Sequence, residues 1–145
     1  SWVNEAVIAG AKVVSGGQRN AAYYPPTILT GVDSKLSISC NEAFGPVLIV
    51  DSYSDFQDAI ERMNDSDYGL QAGVFTNQMD KTLSAFNQLE VGGVIINDVP
   101  TFRVDNMPYG GIKDSGFGRE GIKYSLQEMT EIKLLVYNHL LENQG

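Results

Sequence analysis

Val47-Leu48-Ile49-Val50, Ala72-Gly73-Val74-Phe75-Thr76 and Val94-Ile95-Ile96 are short apolar runs separated by helix-like stretches, and their alternation decides the fold. A continuous apolar run such as Val47 to Val50 has the pattern of a strand buried on both faces. After it, Ser54 with Gln57 three residues on reads as a capping box opening a helix. Phe56, Ala59, Ile60 and Met63 then recur at helical spacing. Asn77 is the expected cap of the next helix, with Met79, Leu83, Phe86 and Leu89 as its buried stripe and Gly92-Gly93 as its C-terminal stop. Strand, helix, strand, helix, strand at this spacing predicts parallel βαβ units with right-handed crossovers. The fold class is therefore α/β, a mostly parallel open sheet with helices on both faces.

Outward from that stretch, Val3, Ala6, Val7 and Gly10 share one face of an opening helix. Lys12 to Ser15 reads as a short strand. Tyr24 to Val32 reads as a second extended segment, with Pro26 marking its edge because proline cannot donate to a ladder. Toward the other end, a helix over 119–129 is expected to turn Ile122, Leu126 and Met129 inward. Ile132 to Tyr137 then has the composition of a terminal strand with no following strand to cover its edge, and such an edge is a pairing site. The chain thus divides into 1–131, a strand at 132–138 and a polar tail at 139–145, in which His139 reads as a solvated side chain.

Composition excludes several functions. In 145 residues, 43% apolar, the formal net charge is −8, and the ten Lys and Arg are scattered. Neutralising phosphates takes clustered cations, so neither nucleic acid nor an anionic membrane surface is an expected partner. No apolar run approaches the ~20 residues that cross a bilayer, and no basic-then-apolar leader is seen. One cysteine cannot build a disulfide framework. A cytoplasmic location is the default, which makes Asn64-Asp65-Ser66 an incidental sequon. The chain begins without methionine and already in helical pattern, as a piece of a longer protein would.

Met107-Pro108-Tyr109-Gly110-Gly111-Ile112-Lys113-Asp114-Ser115-Gly116-Phe117-Gly118-Arg119-Glu120-Gly121 puts five glycines before a helix. Glycine is costly to order and is kept where the backbone needs positive φ or close approach. Gly116 to Gly121 matches G-x-G-x-x-G, but the pyrophosphate fingerprint needs a strand directly before it and a βαβ return after it. Neither fits here. Asp65-Ser66-Asp67-Tyr68-Gly69 begins like a calcium loop, yet Thr76 stands where a bidentate Glu is required. One Cys and one His cannot supply the usual zinc set, so no metal is expected.

Read with Asn41-Glu42-Ala43-Phe44-Gly45-Pro46-Val47, this loop resembles the C-terminal signature of the aldehyde dehydrogenase superfamily. Other blocks follow the same order: Gly10 to Gly17, Tyr24 to Leu29, Asn64 with Tyr68-Gly69-Leu70, Val74-Phe75-Thr76, Gly92 to Asn97, and Thr130-Glu131-Ile132-Lys133. The resemblance implies that 1–131 is the C-terminal portion of a catalytic domain several hundred residues long. Such enzymes oxidise an aldehyde to an acid with NAD or NADP. A cysteine thiolate adds to the carbonyl, hydride passes to the nicotinamide, and a glutamate-activated water hydrolyses the thioester. Neither that cysteine nor that glutamate maps onto these residues, so the piece is expected to be inactive alone and to contain no catalytic residue.

The resemblance assigns Glu42 to the nicotinamide ribose hydroxyls and Phe44 to the nicotinamide ring. Alternation along a loop would place both on one side, where a carboxylate and an aromatic wall suit a flat, hydroxylated ligand. Asn41 and Ala43 depart from the usual Glu and Ile without removing either contact. Cys40 lacks the neighbouring cation, histidine or helix N-terminus that activates a thiolate, and reads as a buried or semi-buried inert thiol. In the family, 98–107 lines the aldehyde tunnel: Phe102 is a candidate wall, and Arg103 could grip a carboxylate, sulfonate or phosphate bidentately or pair with Asp105. This run is most similar to members acting on lactaldehyde or glyceraldehyde derivatives. The resemblance also implies a homo-oligomer, dimer or tetramer, with Arg119, Glu131, Ile132, Leu134 and Val136 at the interface. The rival reading is a non-catalytic assembly module that kept the fold.

Overall fold

The computed structural model describes residues 1–138. In chain order the elements are α1 (Trp2–Ile8), β1 (Lys12–Ser15), β2 (Thr27–Thr30), α2 (Ser37–Cys40), β3 (Val47–Ile49), α3 (Phe56–Asn64), β4 (Tyr68–Gly69), β5 (Gln71–Val74), α4 (Met79–Gln88), β6 (Gly93–Ile96), β7 (Ile112–Lys113) and α5 (Ile122–Glu128). The α/β class is what the alternation predicts. The strands form three small sheets: β1-β2-β3, β4-β7 and β5-β6.

The parallel expectation holds at β2-β3 and at β5-β6, whose crossover is α4. The β1-β2 and β4-β7 pairs are antiparallel. The second extended segment is shorter than its sequence suggests, Thr27–Thr30, because Thr27 is the first residue after Pro25-Pro26 able to donate to Pro46. Its inward side chains, Thr27 and Leu29, are the most completely buried large groups.

Two compact cores result. Ala6, Ala11, Leu29 and Ile38 close the first, and Ile60, Ala72, Ala85 and Leu89 the second. Small residues at helix–sheet contacts bring backbones close, and this changes which helix face is buried. In α4, Ala85 and Leu89 pack on the β5-β6 pair, while Met79, Leu83 and Phe86 of the expected stripe are more than half exposed. In α5 no residue is buried, and Ile122, Leu126 and Met129 all face outward. Leu48 is 58% exposed, so β3 is covered on one face only.

The helix ends also differ from expectation. Asp55, not Ser54, caps α3: its Oδ1 accepts from the backbone N–H of Gln57 at 2.6 Å and of Asp58 at 3.4 Å. The acidic side chain also meets the positive end of the helix dipole. For α4 the capping position is Gln78 and not Asn77, and Thr76 Oγ1 accepts from the Gln78 N–H instead. That helix ends at Gln88, with Leu89 as its C-cap. Gly92 and Gly93 serve close approach, since a methyl on Gly92 would overlap the Gly110 carbonyl.

Residues 132–138 take up neither helix nor strand, and Ile132, Leu134 and Val136 are 94%, 83% and 70% exposed. A strand exists only with a partner to bond. The polar tail and His139 lie outside the described residues.

Candidate functional site

The loop between α2 and β3 carries the first group of site residues. Gly45 N–H donates to Ala43 O and Val47 N–H to Gly45 O, both at 2.8 Å, so the chain turns twice in succession through three-residue turns. Pro46 O in turn accepts from Thr27 N–H at 2.8 Å, which anchors the loop's far end to β2. These turns replace the simple alternation expected of an extended loop. Phe44, 95% exposed, borders a hollow of about 840 Å³ with Trp2, Arg19 and Tyr24. Glu42 borders a separate hollow of about 530 Å³ with Leu70, Asp114 and Ser115. The two side chains are neighbours on the loop but do not share one hollow.

Glu42 is exposed, and its carboxylate has no hydrogen-bond or ion-pair partner among the described residues. Cys40, just before, is exposed rather than buried: α2 is a single turn ending at Cys40, and the side chain projects past it. Its Sγ contacts only Lys35 O at 3.8 Å and Asn41 Nδ2 at 3.5 Å. Neither of these contacting groups is a cation.

The second group lies beyond β6. Asn97 ends that strand with φ +61°, a conformation Asn tolerates better than most residues. Its Oδ1 accepts from Thr76 N–H at 2.9 Å, tying the ends of two neighbouring strands together. Phe102 is 45% exposed, and its carbonyl accepts from Gln71 Nε2 at 3.4 Å. Arg103 does not pair with Asp105. Its Nη2 donates to Glu120 Oε2 at 2.8 Å, and its guanidinium lies 4.3 Å from the centroid of the Tyr109 ring. Tyr109 and Glu120 are themselves joined by a pair of backbone bonds, 3.1 and 2.6 Å. The chain thus returns on itself around the glycine loop, bringing residue 120 beside residue 103.

Gly116, Gly118 and Gly121 have φ of +126°, +70° and +119°, the positive values that explain glycine at these places. Arg119 Nη1 donates to the carbonyls of Gly111 at 3.0 Å and Gly118 at 2.7 Å. It secures the loop from inside and makes no pair with Glu131, which is exposed.

Three residues that the sequence blocks include but to which no role was assigned hold this region in place. Asn64 receives Glu90 N–H on Oδ1 at 2.8 Å and donates Nδ2 to Gln88 O at 2.7 Å, fixing the end of α3 to the end of α4. Lys113, with φ +53°, places Nζ 2.7 Å from Asn64 O, 3.0 Å from Ser66 O and 2.7 Å from a Glu90 carboxylate oxygen. Ser115 Oγ accepts from Gly69 N–H at 2.9 Å. The calcium-like run 65–69 is a helix C-cap at Asp65 and a bend that leads into β4, with Ser66 Oγ accepting from Tyr68 N–H at 3.2 Å.

Against known proteins, the model of the aldehyde dehydrogenase family matches residues 1–135. The 3-sulfolactaldehyde dehydrogenase of Priestia aryabhattai is 50% identical over 137 residues, which are 94% of this chain and 29% of that protein. Aldehyde dehydrogenase 21 of Physcomitrella patens, solved with its reaction product succinate, superposes with TM-score 0.89 at 48% identity, covering 94% of this chain and 28% of the other. The glyceraldehyde-3-phosphate dehydrogenase of Methanocaldococcus jannaschii, solved with NADP, superposes with TM-score 0.83 at 44% identity, covering 90% and 28%. The chain therefore spans less than a third of the length of these relatives.

Proposed function

Because this chain belongs to the aldehyde dehydrogenase family, we infer that it is part of an enzyme oxidising a small aldehyde to a carboxylic acid with NAD or NADP. It contributes one side of the nicotinamide site, part of the aldehyde channel and subunit interface. The observation that carries this reading is the loop over 41–47, which presents a carboxylate with no partner among the described residues and an almost fully exposed phenyl ring. The bare ring gains by packing on a ligand and the open carboxylate can accept from hydroxyls, so each suits one part of a nicotinamide riboside. An ionised carboxylate accepts from two vicinal hydroxyls, and an uncovered aromatic face packs on a flat ring. The nicotinamide, when bound, supplies the hydride acceptor. Glu42 orients its ribose, Phe44 limits the rotation of its ring, and the turns through Gly45 hold both in place.

For substrate, the relatives act on 3-sulfolactaldehyde or glyceraldehyde-3-phosphate by name, and one was solved with succinate. All of these molecules carry an anionic group at the end remote from the reacting carbon. Arg103, with Phe102 beside it as an apolar wall, has the chemistry to receive such a group. We accordingly assign the substrate class as short aldehydes, above all 2-hydroxyaldehydes with an anionic terminus. The bare segment 132–136 is the proposed oligomerisation strand of a dimer or tetramer, with Arg119 and Glu131 near it. No described helix is long and apolar enough to cross a membrane, and the cytoplasm is the proposed location. Relatives named for their catalytic activity do not favour the alternative of a non-catalytic module.

The test is Glu42→Gln in the full polypeptide that contains this chain. Loss of one charge-assisted bond, worth ~1.5–3 kcal/mol, should slow single-turnover hydride transfer by about ten- to a hundredfold while the protein stays folded. Normal cofactor affinity together with a normal single-turnover rate would remove Glu42 from the site.

A further inference from the structure

We propose that Glu120 is a positioning residue for substrate specificity: with the Tyr109 ring it fixes the Arg103 guanidinium so that one two-donor edge stays open for a sulfonate or carboxylate on the aldehyde. This rests on the reading that Arg103 belongs to the substrate channel, and adds to it how the arginine is held. An unsupported arginine on a loop carries several rotatable bonds, and freezing them on binding weakens the complex. Here the side chain is already immobilised in two directions. Glu120 Oε2 takes one Nη2 proton at 2.8 Å, and the Tyr109 ring supports the flat face of the cation with its centroid 4.3 Å away.

The contact with Glu120 is made by Nη2 alone, and Nη1 and Nε have no hydrogen-bond partner among the described residues. Whichever Nη2 proton Glu120 takes, one pair of neighbouring N–H groups remains free on the same planar cation. That pair matches the two oxygens of a carboxylate or sulfonate. Glu120 also neutralises the arginine's charge, so an anion is held by paired directional bonds more than by net attraction. A neutral aldehyde of the same shape gains nothing from it.

The positions of both supports follow from the glycine loop. Tyr109 and Glu120 exchange backbone hydrogen bonds across it, which sets their side chains on the same side of the turn as Arg103. That backbone bridge does not depend on the Glu120 carboxylate, which is largely exposed. Replacing the side chain should therefore leave the loop intact.

The experiment compares 3-sulfolactaldehyde with lactaldehyde, which share a skeleton and differ by the sulfonate, as substrates of the full-length enzyme. Glu120→Ala should raise KM for 3-sulfolactaldehyde about three- to tenfold, the cost of ordering on binding an arginine side chain that is no longer held. It should leave kcat and both constants for lactaldehyde within about twofold. Glu120→Gln should restore the lower KM, because its amide oxygen still accepts from Nη2. Tyr109→Leu should raise the same KM with the same selectivity. An unchanged KM in Glu120→Ala, or an equal loss with both aldehydes, would overturn the role of Glu120. Arg103→Met separates the two levels: if it too leaves the 3-sulfolactaldehyde KM unchanged, the channel reading of Arg103 falls as well, whereas a selective rise with a silent Glu120→Ala removes only the positioning residue.

Discussion

Replacing Lys113 with Met should destabilise this region far more than an ordinary surface change, although Lys113 is not one of the candidate site residues. Its ammonium uses all three protons: two on the carbonyls of Asn64 and Ser66, at 2.7 and 3.0 Å, and one on the Glu90 carboxylate at 2.7 Å. The side chain is 25% exposed and Glu90 56%, so the ion pair itself contributes at most ~1 kcal/mol. Bonds from a charged donor to a neutral acceptor are worth ~1.5–3 kcal/mol each, and partial exposure places these at the low end. Together the loss is about 3–4 kcal/mol. Met keeps the length and the apolar stem of the side chain, so little packing is lost with the charge. Urea unfolding of parent and variant side by side, with m unchanged, measures the loss directly. A change below about 0.5 kcal/mol, typical of an ordinary surface site, would mean that the three contacts are incidental and that the turn at 64–66 holds without them.

Gly92→Ala should cost several kcal/mol and lower soluble yield, because the new methyl meets the Gly110 carbonyl, a backbone group that cannot step aside; a stable variant would show that the two segments separate easily. Deleting residues from 132 onward in the full polypeptide should convert an oligomer to monomer or aggregate. Light scattering that finds the oligomer intact would refute the interface assigned to Ile132, Leu134 and Val136.

The order of elements was legible because apolar runs and helical spacing report local geometry. Lys12 to Ser15 and the β5-α4-β6 unit come out close to where the periodicities place them. The faces were harder. Sequence periodicity favours the largest apolar residues as the buried stripe, whereas α4 packs through Ala85, where a small side chain admits the sheet. Caps failed for a similar reason: Ser54 and Asp55 are equally plausible by type, and only the backbone angle selects Asp55. Of the candidate site, Glu42, Phe44 and Arg103 came from the resemblance. Their partners did not, because Glu120 reaches Arg103 through a fold-back that no local spacing encodes. The bonds of Asn64 and Lys113 escaped on the same grounds, since they span 23 to 49 residues. The glycines of the loop were the one clue available there, and the positive φ at Gly116, Gly118 and Gly121 is what the structure makes of them.

The antiparallel pairing of Tyr68 and Gly69 with Lys113 and Ile112 has a temporal meaning. Its Gly69–Ser115 bond joins residues 46 apart, about twice the separation of the paired β5 and β6. Contacts between distant positions form against a larger loss of chain freedom and tend to come late in folding. The β5-α4-β6 unit can thus assemble first and offer a surface, and the segment from 98 to 121 docks on it afterwards. Arg103, Tyr109 and Glu120 all belong to that late segment. The proposed grip on an anionic substrate then belongs to the part of this chain that forms late, and detachment of that segment would leave the β5-α4-β6 unit standing.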